Sequence, residues 1–365
     1  MSGLRASGLK TKKQGEFEPH WQGTLADYVT AITWSPDGKT LAASSAAGEV
    51  VLYQAGAFQE TSLQQGDGRS VDCLAWSQDR KFLAAGGQNG QVNIWQVQSD
   101  RTELIATVGN PSAWVDHMAW SPTQNLLAFS LGKYVQVWDA ALGDVATTLA
   151  FDTSSALDLT WHPDGQRLSV SGYQGVKIWT AADWDDDPYL LTIPSASIAI
   201  AWSPDGKYIA SGNLDRTITV LEWENPHPWV MRGFPGKIRQ LSWSTFVPQV
   251  GAPLLASSSA EGLVVWEKQE DEALGWEGRV LARHEGTVQS MHFQPDTLLL
   301  ASAAADGWVC LWHKAQRLAQ VLNGASNGFA CLAWHPKGKQ LAAGGQNGEL
   351  LVWSKLGRGQ GFGQR

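Results

Sequence analysis

Residues 29–44 read VTAITWSPDGKTLAAS, and residues 71–86 read VDCLAWSQDRKFLAAG. Both run a short apolar segment into Trp, cross a polar turn and continue into a second apolar segment rich in small residues. The same grammar returns at 115–130 (VDHMAWSPTQNLLAFS), 157–171 (LDLTWHPDGQRLSVS), 198–212 (IAIAWSPDGKYIASG), 238–249 (IRQLSWSTFVPQ), 288–302 (VQSMHFQPDTLLLAS) and 329–344 (FACLAWHPKGKQLAAG). The aromatic anchors Trp34, Trp76, Trp120, Trp161, Trp202, Trp243, Phe293 and Trp334 are spaced by 42, 44, 41, 41, 41, 50 and 41 residues. A period of that length marks a repeat architecture.

Each copy predicts four strands. The first ends at the anchor, and Ser-Pro-Asp-Gly makes the turn: Pro sets φ, Asp tolerates the turn and Gly supplies positive φ. The second is typified by LAAS. A tight turn such as Gln88–Gly90 leads to a third strand ending at Tyr53, Trp95, Trp138, Trp179, Leu221, Trp266, Trp312 or Trp353. Weaker apolar stretches between copies, such as ELIATVG from Glu103, supply an outer strand. Four short strands every 40-odd residues make one blade of a propeller.

In this pattern the sequence resembles the WD40 repeat family, over roughly residues 16–353, and its regular SPDG turns are similar to those of bacterial members. The resemblance implies an all-β propeller, for which eight four-stranded blades are expected. Seven is the alternative if the irregular copy six is not a full blade. The eighth copy lacks an outer strand after Trp353, so FEPHWQG from Phe17 is expected to close the ring and remove an exposed edge. Residues 1–15 are expected as a flexible basic tail, 16–353 as the propeller and 354–365 as a flexible Gly-rich tail. Of the Trp-Asp signature, Trp138-Asp139 is the one true pair. Copy seven comes closest to the family's buried polar set, with His284, Ser302, Asp306 and Trp312 as the structural tetrad.

Composition narrows the function classes. The chain has 365 residues, 20 Trp against 10 Phe and 6 Tyr, 38 Gly, and a net charge of -8. Arg5, Lys10, Lys12 and Lys13 at one end and Lys355, Arg358 and Arg365 at the other leave the middle more acidic still. Such a body repels phosphate backbones, so no nucleic-acid partner is expected. No apolar run is long enough for a membrane helix, and no apolar stretch follows the basic N-terminus as a secretory signal needs. Cys73, Cys310 and Cys331 make neither a disulfide framework nor a metal pair. A cytoplasmic monomer without a membrane, metal or cofactor is expected.

No nucleophile elbow, phosphate loop or zinc helix is present, and the glycines of GGQNG at Gly86 and Gly344 fall in the turn slot of the repeat. A catalytic reading of His284, Ser302 and Asp306 yields to the structural one, and the chain is expected not to be an enzyme. Recognition is the stronger signal. In the family, the starts of the first strands crowd around the central channel. The residue after the first apolar position is Thr30, Asp72, Asp116, Asp158, Ala199, Arg239, Gln289 or Ala330. Three successive Asp favour a partner with a basic segment. Tyr28, Trp114 and Trp308 lie on the same face. The expected partner-binding set is therefore Thr30, Asp72, Asp116, Asp158, Arg239, Gln289, Tyr28, Trp114 and Trp308, on a non-catalytic scaffold for a protein or peptide. The rivals are a small-ligand or enzymatic propeller using the channel, and a multi-partner assembly factor or sensor binding through the rim and the insertions of copy six.

Overall fold

Eight innermost strands ring a central axis, each ending at an aromatic anchor, and the first, Val29–Trp34, touches both Val71–Trp76 and Phe329–Trp334. The computed structural model describes residues 16–98, 101–225, 227–248 and 251–356; the expected tail at 1–15, and residues 357–365 of the one expected at 354–365, lie outside them. All the regular structure among the described residues is β, and no helix there is long and apolar enough to cross a membrane.

Copy one shows why the grammar folds as it does. Val29–Trp34, Thr40–Ser45, Val50–Gln54 and Gln59–Gln64 pair antiparallel in sequence order. The small residues of the second strand, Ala42, Ala43 and Ser44, have no exposed surface, because neighbouring sheets press on both faces there. The outer strand is mostly exposed and correspondingly polar, QETSLQ. Gly38, at the end of the turn, takes φ +72°. In copy two Arg80 holds the same turn position at φ +68°, a strained choice for a side chain. Its guanidinium reaches Asp37 of copy one at 3.2 Å.

Aromatic packing joins one copy to the next. Phe82 of copy two stacks on Trp120 of copy three at 5.7 Å, and both meet Trp138 edge-on. Each such buried side chain contributes about 1.5–3 kcal/mol of apolar transfer. At the seam, Phe17–Thr24 pairs antiparallel with Glu349–Lys355 as the outer strand of copy eight. Phe17 packs on Trp334 at 5.5 Å, and Gln320 of copy seven bonds its N–H and C=O. Trp21 stacks on Phe58 of copy one at 4.5 Å. The closing strand is thus held by three copies. Its partner strand continues to Lys355, two residues into the segment expected as tail.

The expectation of eight separate four-stranded blades is corrected. Among the described residues the sheets number seven: six are four-stranded and one is six-stranded. The sequence ties a count of seven to copy six, yet that copy makes a complete sheet of Gln240–Trp243, Leu255–Ser259, Gly262–Lys268 and Trp276–Leu281. The fusion lies between copies four and five. Arg167–Thr180 and Tyr189–Trp202 are each 14 residues long and pair with one another, and Tyr189–Trp202 goes on to pair with Tyr208–Asn213 of copy five. Each strand continues through its junction without a break. A register shift between Tyr173 and Gly175 absorbs the turn, where Gln174 and Gly175 take φ +70° and +132°. A strand ladder therefore runs up to a boundary that elsewhere is spanned by side-chain packing and single hydrogen bonds.

Candidate functional site

The channel mouth is built from the starts of the innermost strands, and a hydrogen-bond stitch organises it. The side chain three residues before the anchor accepts a bond from the backbone N–H of the next copy. Asp158 Oδ2 takes the N–H of Ile200 at 2.8 Å, Gln240 Oε1 that of Met291 at 3.1 Å, and Ser290 Oγ that of Leu332 at 3.1 Å. Cys73 and Cys331 hold the same slot and direct their thiols at the carbonyls of Val115 and Val29 in the following copies. Burial pushes the Cys331 thiol up to about 12 and the Cys73 thiol higher still, so both stay protonated and inert at neutral pH. Running the other way, the indole N–H groups of Trp120, Trp161, Trp243 and Trp334 each donate to a carbonyl of the preceding copy.

This register separates Asp158 from the two aspartates grouped with it in sequence. Asp158 pairs with Ser171 and lies three residues before its anchor, the position that Cys73 holds opposite Gly86. Copy four has one residue fewer between its first apolar residue and its Trp, so the whole slot moves by one. The Asp158 side chain is 22% exposed, accepts N–H bonds from Ile200 and Leu159, and sits 3.4 Å from His117 Nδ1 of copy three. Burial raises its carboxyl above the usual range, against the opposing pull of His117 and the two backbone bonds.

Asp72 and Asp116 do share a slot, four residues before their anchors. Burial raises the Asp72 carboxyl, and the nearby charge of Asp116 adds to the rise; Ser70 Oγ donates to Asp72 and opposes it. Among the described residues neither aspartate forms an ion pair. Thr30 bonds Ser44 and the carbonyl of Val71, so its hydroxyl is part of the wall. The Gln289 carbonyl accepts from Gln240 at 2.6 Å. Arg239 is exposed, and its backbone N–H is held by Ser258. Tyr28 is half-buried, its phenol pushed up by burial and by the nearby Cys331 thiol.

Of the seven Trp outside the anchor positions, six pack. Trp21 lies on Phe58, Trp184 meets Trp161 at 6.1 Å, Trp223 meets Trp202 at 5.3 Å, and Trp276 is buried against Tyr208 and Trp243. Lys268 lies over Trp229, and the Arg283 guanidinium stacks 3.8 Å from the Trp308 ring. Trp114 is the exception: it is 59% exposed, while every other Trp is buried or half-buried.

Trp114 and Asp116 line a notch of about 300 Å³ with Ser112, Gly132, Ser155 and Ala156, between copies three and four. The last four are not among the residues expected at the mouth from sequence. Their signals are small: copy three has one residue fewer between Trp120 and Trp138 than copies one and two have between their aromatics, and copy four has the shortened first strand. The first strand of copy three is cut to Met118–Trp120, and Ser130 Oγ substitutes for the missing ladder by accepting the N–H groups of Asp116 and His117.

Copy seven is built differently. His284 Nδ1 meets Asp306 at 2.9 Å, His284 Nε2 meets Ser302 Oγ at 2.8 Å, and Trp312 Nε1 donates to the same Oγ at 2.9 Å. Asp306 also accepts the N–H groups of Glu285 and Trp308. Burial opposes its charge, but those bonds and the imidazole outweigh it and hold the carboxyl below the usual range. The Ser302 oxygen is enclosed between a histidine and an indole, which suits a structural link and gives no access to a substrate.

A model of the WD domain, G-beta repeat family matches residues 12–54, 59–96, 188–221, 275–313 and 316–354. The chain is also 28% identical over 149 residues to the nuclear distribution protein nudF of Aspergillus niger, across 40% of this chain and 32% of that relative.

Proposed function

The chain belongs to the WD40 repeat family, and on that premise we propose that it is a non-catalytic, monomeric cytoplasmic scaffold that docks a protein or peptide with a basic segment on its channel-mouth face. Asp72 and Asp116 carry the reading. They are close enough for the charge of Asp116 to raise the pKa of Asp72, they have no cationic partner among the described residues, and Asp116 lines a notch with the one exposed Trp. An incoming cation relieves that repulsion, and an exposed aromatic supplies contact area at low entropic cost. Arg239 adds a polar contact at the rim of the mouth. Thr30, Asp158 and Gln289 set its walls through their bonds to neighbouring copies. A ring of blades packed on both sides holds such a surface rigid, which lowers the cost of binding.

The test replaces Asp72 and Asp116 together with Asn and compares affinity captures from native lysate with wild type, with circular dichroism and melting as fold controls. Loss of one or a few captured proteins supports docking at the mouth. Unchanged capture overturns it in favour of the rim. There, copy six exposes Phe246, Val247 and Leu274, and Val265, Glu267, Gln269, Glu277, Gly278 and Arg279 line a notch of about 140 Å³.

A further inference from the structure

Resting on the scaffold reading, we infer that the notch between copies three and four is a receptor for a single arginine side chain of the partner. The repeat itself does not call for an aromatic where Trp114 stands. Ser70, Ala156, Lys237, Thr287 and Gly328 precede the first apolar residue in five other copies, and those copies fold without one. The backbone of Trp114 is nevertheless well anchored, since the next N–H, of Val115, bonds to Gly87 O at 3.0 Å. A held backbone carrying a side chain that the fold leaves 59% exposed presents an indole to solvent.

The rest of the notch supplies room and acceptors. Gly132 opens the short turn between Leu126–Leu131 and Tyr134–Asp139 at φ +60° with nothing within 4 Å of where a Cβ would stand, so the space above it is open. Ala156 and Ser155 are small where copy three carries Trp114. The Ala156 N–H is taken by Gly132 O at 2.8 Å, and the Ser112 hydroxyl hydrogen by Asn110 Oδ1 at 2.8 Å. Ser112 therefore turns lone pairs outward, and Asp116 adds a carboxylate with no ion-pair partner among the described residues. A wall of acceptors beside an indole selects a donor-only cation. Of the two cationic side chains, the guanidinium is planar, stacks on aromatic faces and bonds a carboxylate through two N–H groups, while the ammonium is a hydrated point charge.

The experiment uses the full chain with 15N-labelled tryptophan and follows the indole N–H resonances, with Trp114→Phe assigning the Trp114 signal. The probe is a capped glycine–arginine–glycine peptide, with lysine and citrulline counterparts. The expected result is a saturable shift of the Trp114 resonance, the other indole resonances staying in place. Affinity should fall by about tenfold with lysine, and by about tenfold or more with citrulline or in Asp116→Asn, the loss of one charge-assisted bond. Ser155→Lys, which places an ammonium in the notch from the protein's own side, should abolish the shift. Equal affinities for all three peptides, or an affinity unchanged by Asp116→Asn, overturn the inference. The two readings fail separately. A captured partner that needs Asp72 and Asp116 while the arginine peptide never moves Trp114 overturns the notch alone, and capture indifferent to both aspartates overturns the scaffold reading of the mouth.

Discussion

Copies three and seven carry the same repeat and finish it at the mouth in opposite ways. In copy seven a histidine, a serine, an indole and an aspartate close the blade with a buried chain of bonds, and Trp308 is covered by Arg283. In copy three the first strand is cut to three residues, one serine hydroxyl takes two backbone N–H groups, and Trp114 is left uncovered. The ring needs only some of its copies to be fully cross-linked. Where the cross-link is absent, the mouth has both room and unpaired acceptors, and it is there that we propose the partner docks.

The largest expected effect is on the closed copy. Ser302→Ala leaves both His284 Nε2 and Trp312 Nε1 buried without a partner, and should cost about 3 kcal/mol in urea unfolding. Ser130→Ala in copy three removes as many bonds, but although Ser130 is itself buried its two donors are the N–H groups of the exposed Asp116 and the half-buried His117, and the change should cost about 1 kcal/mol. Equal losses would mean that the two mouths are equally closed.

A smaller effect separates the mouth from the opposite end of the same strand in copy two. Burial and Asp116 raise Asp72 above its ordinary 3.8. At Asp79 burial is outweighed by bonds from Asn125, the Lys81 N–H and Ser77, which hold it at about 2. A raised carboxyl binds its proton more tightly when folded. Its contribution is present below the unfolded value and is lost as pH rises through the folded one. A lowered carboxyl stabilises above the unfolded value and loses that contribution as pH falls toward the folded one. Urea unfolding should therefore show wild type losing ground to Asp72→Asn as pH rises above about 4, and losing ground to Asp79→Asn as pH falls from about 4 toward 2. The same sign for both variants would show that the mouth is no more desolvated than the turn.

The smallest effect on stability belongs to Trp114. Trp114→Ala should move the unfolding midpoint by less than about 0.5 kcal/mol, because the ring is mostly in solvent, while weakening partner capture. A large loss of stability would show that the ring is part of the blade after all.

Much of the fold was legible because repeats fold by local rules. The anchors, the turns and the three long-spaced strands of each copy follow from apolar spacing and turn chemistry. The closing role of Phe17–Thr24 was legible too, as the supplier of a missing outer strand. The fused sheet was not, since nothing in residues 172–176 or 193–197 forbids extended backbone, and whether a ladder continues depends on the neighbour's distance. The candidate site was legible in kind and not in membership. Trp114 and Asp116 could be picked out from composition, whereas Ser112, Gly132 and Ser155 are ordinary loop residues until two shortened segments meet.

By itself the sequence determined a ring of repeated β units, the aromatic anchors that join them, the acidic character of the mouth and the polar set of copy seven. Only the tertiary structure decided which carboxylates are engaged by the fold and which remain open to a partner. The reason is register. One residue fewer in copy four turns Asp158 from the mouth to the backbone of Ile200, and a β pleat reverses every side chain for a one-residue step. Periodicity sets the spacing of the blades, while the contacts between adjacent strands set what each side chain faces.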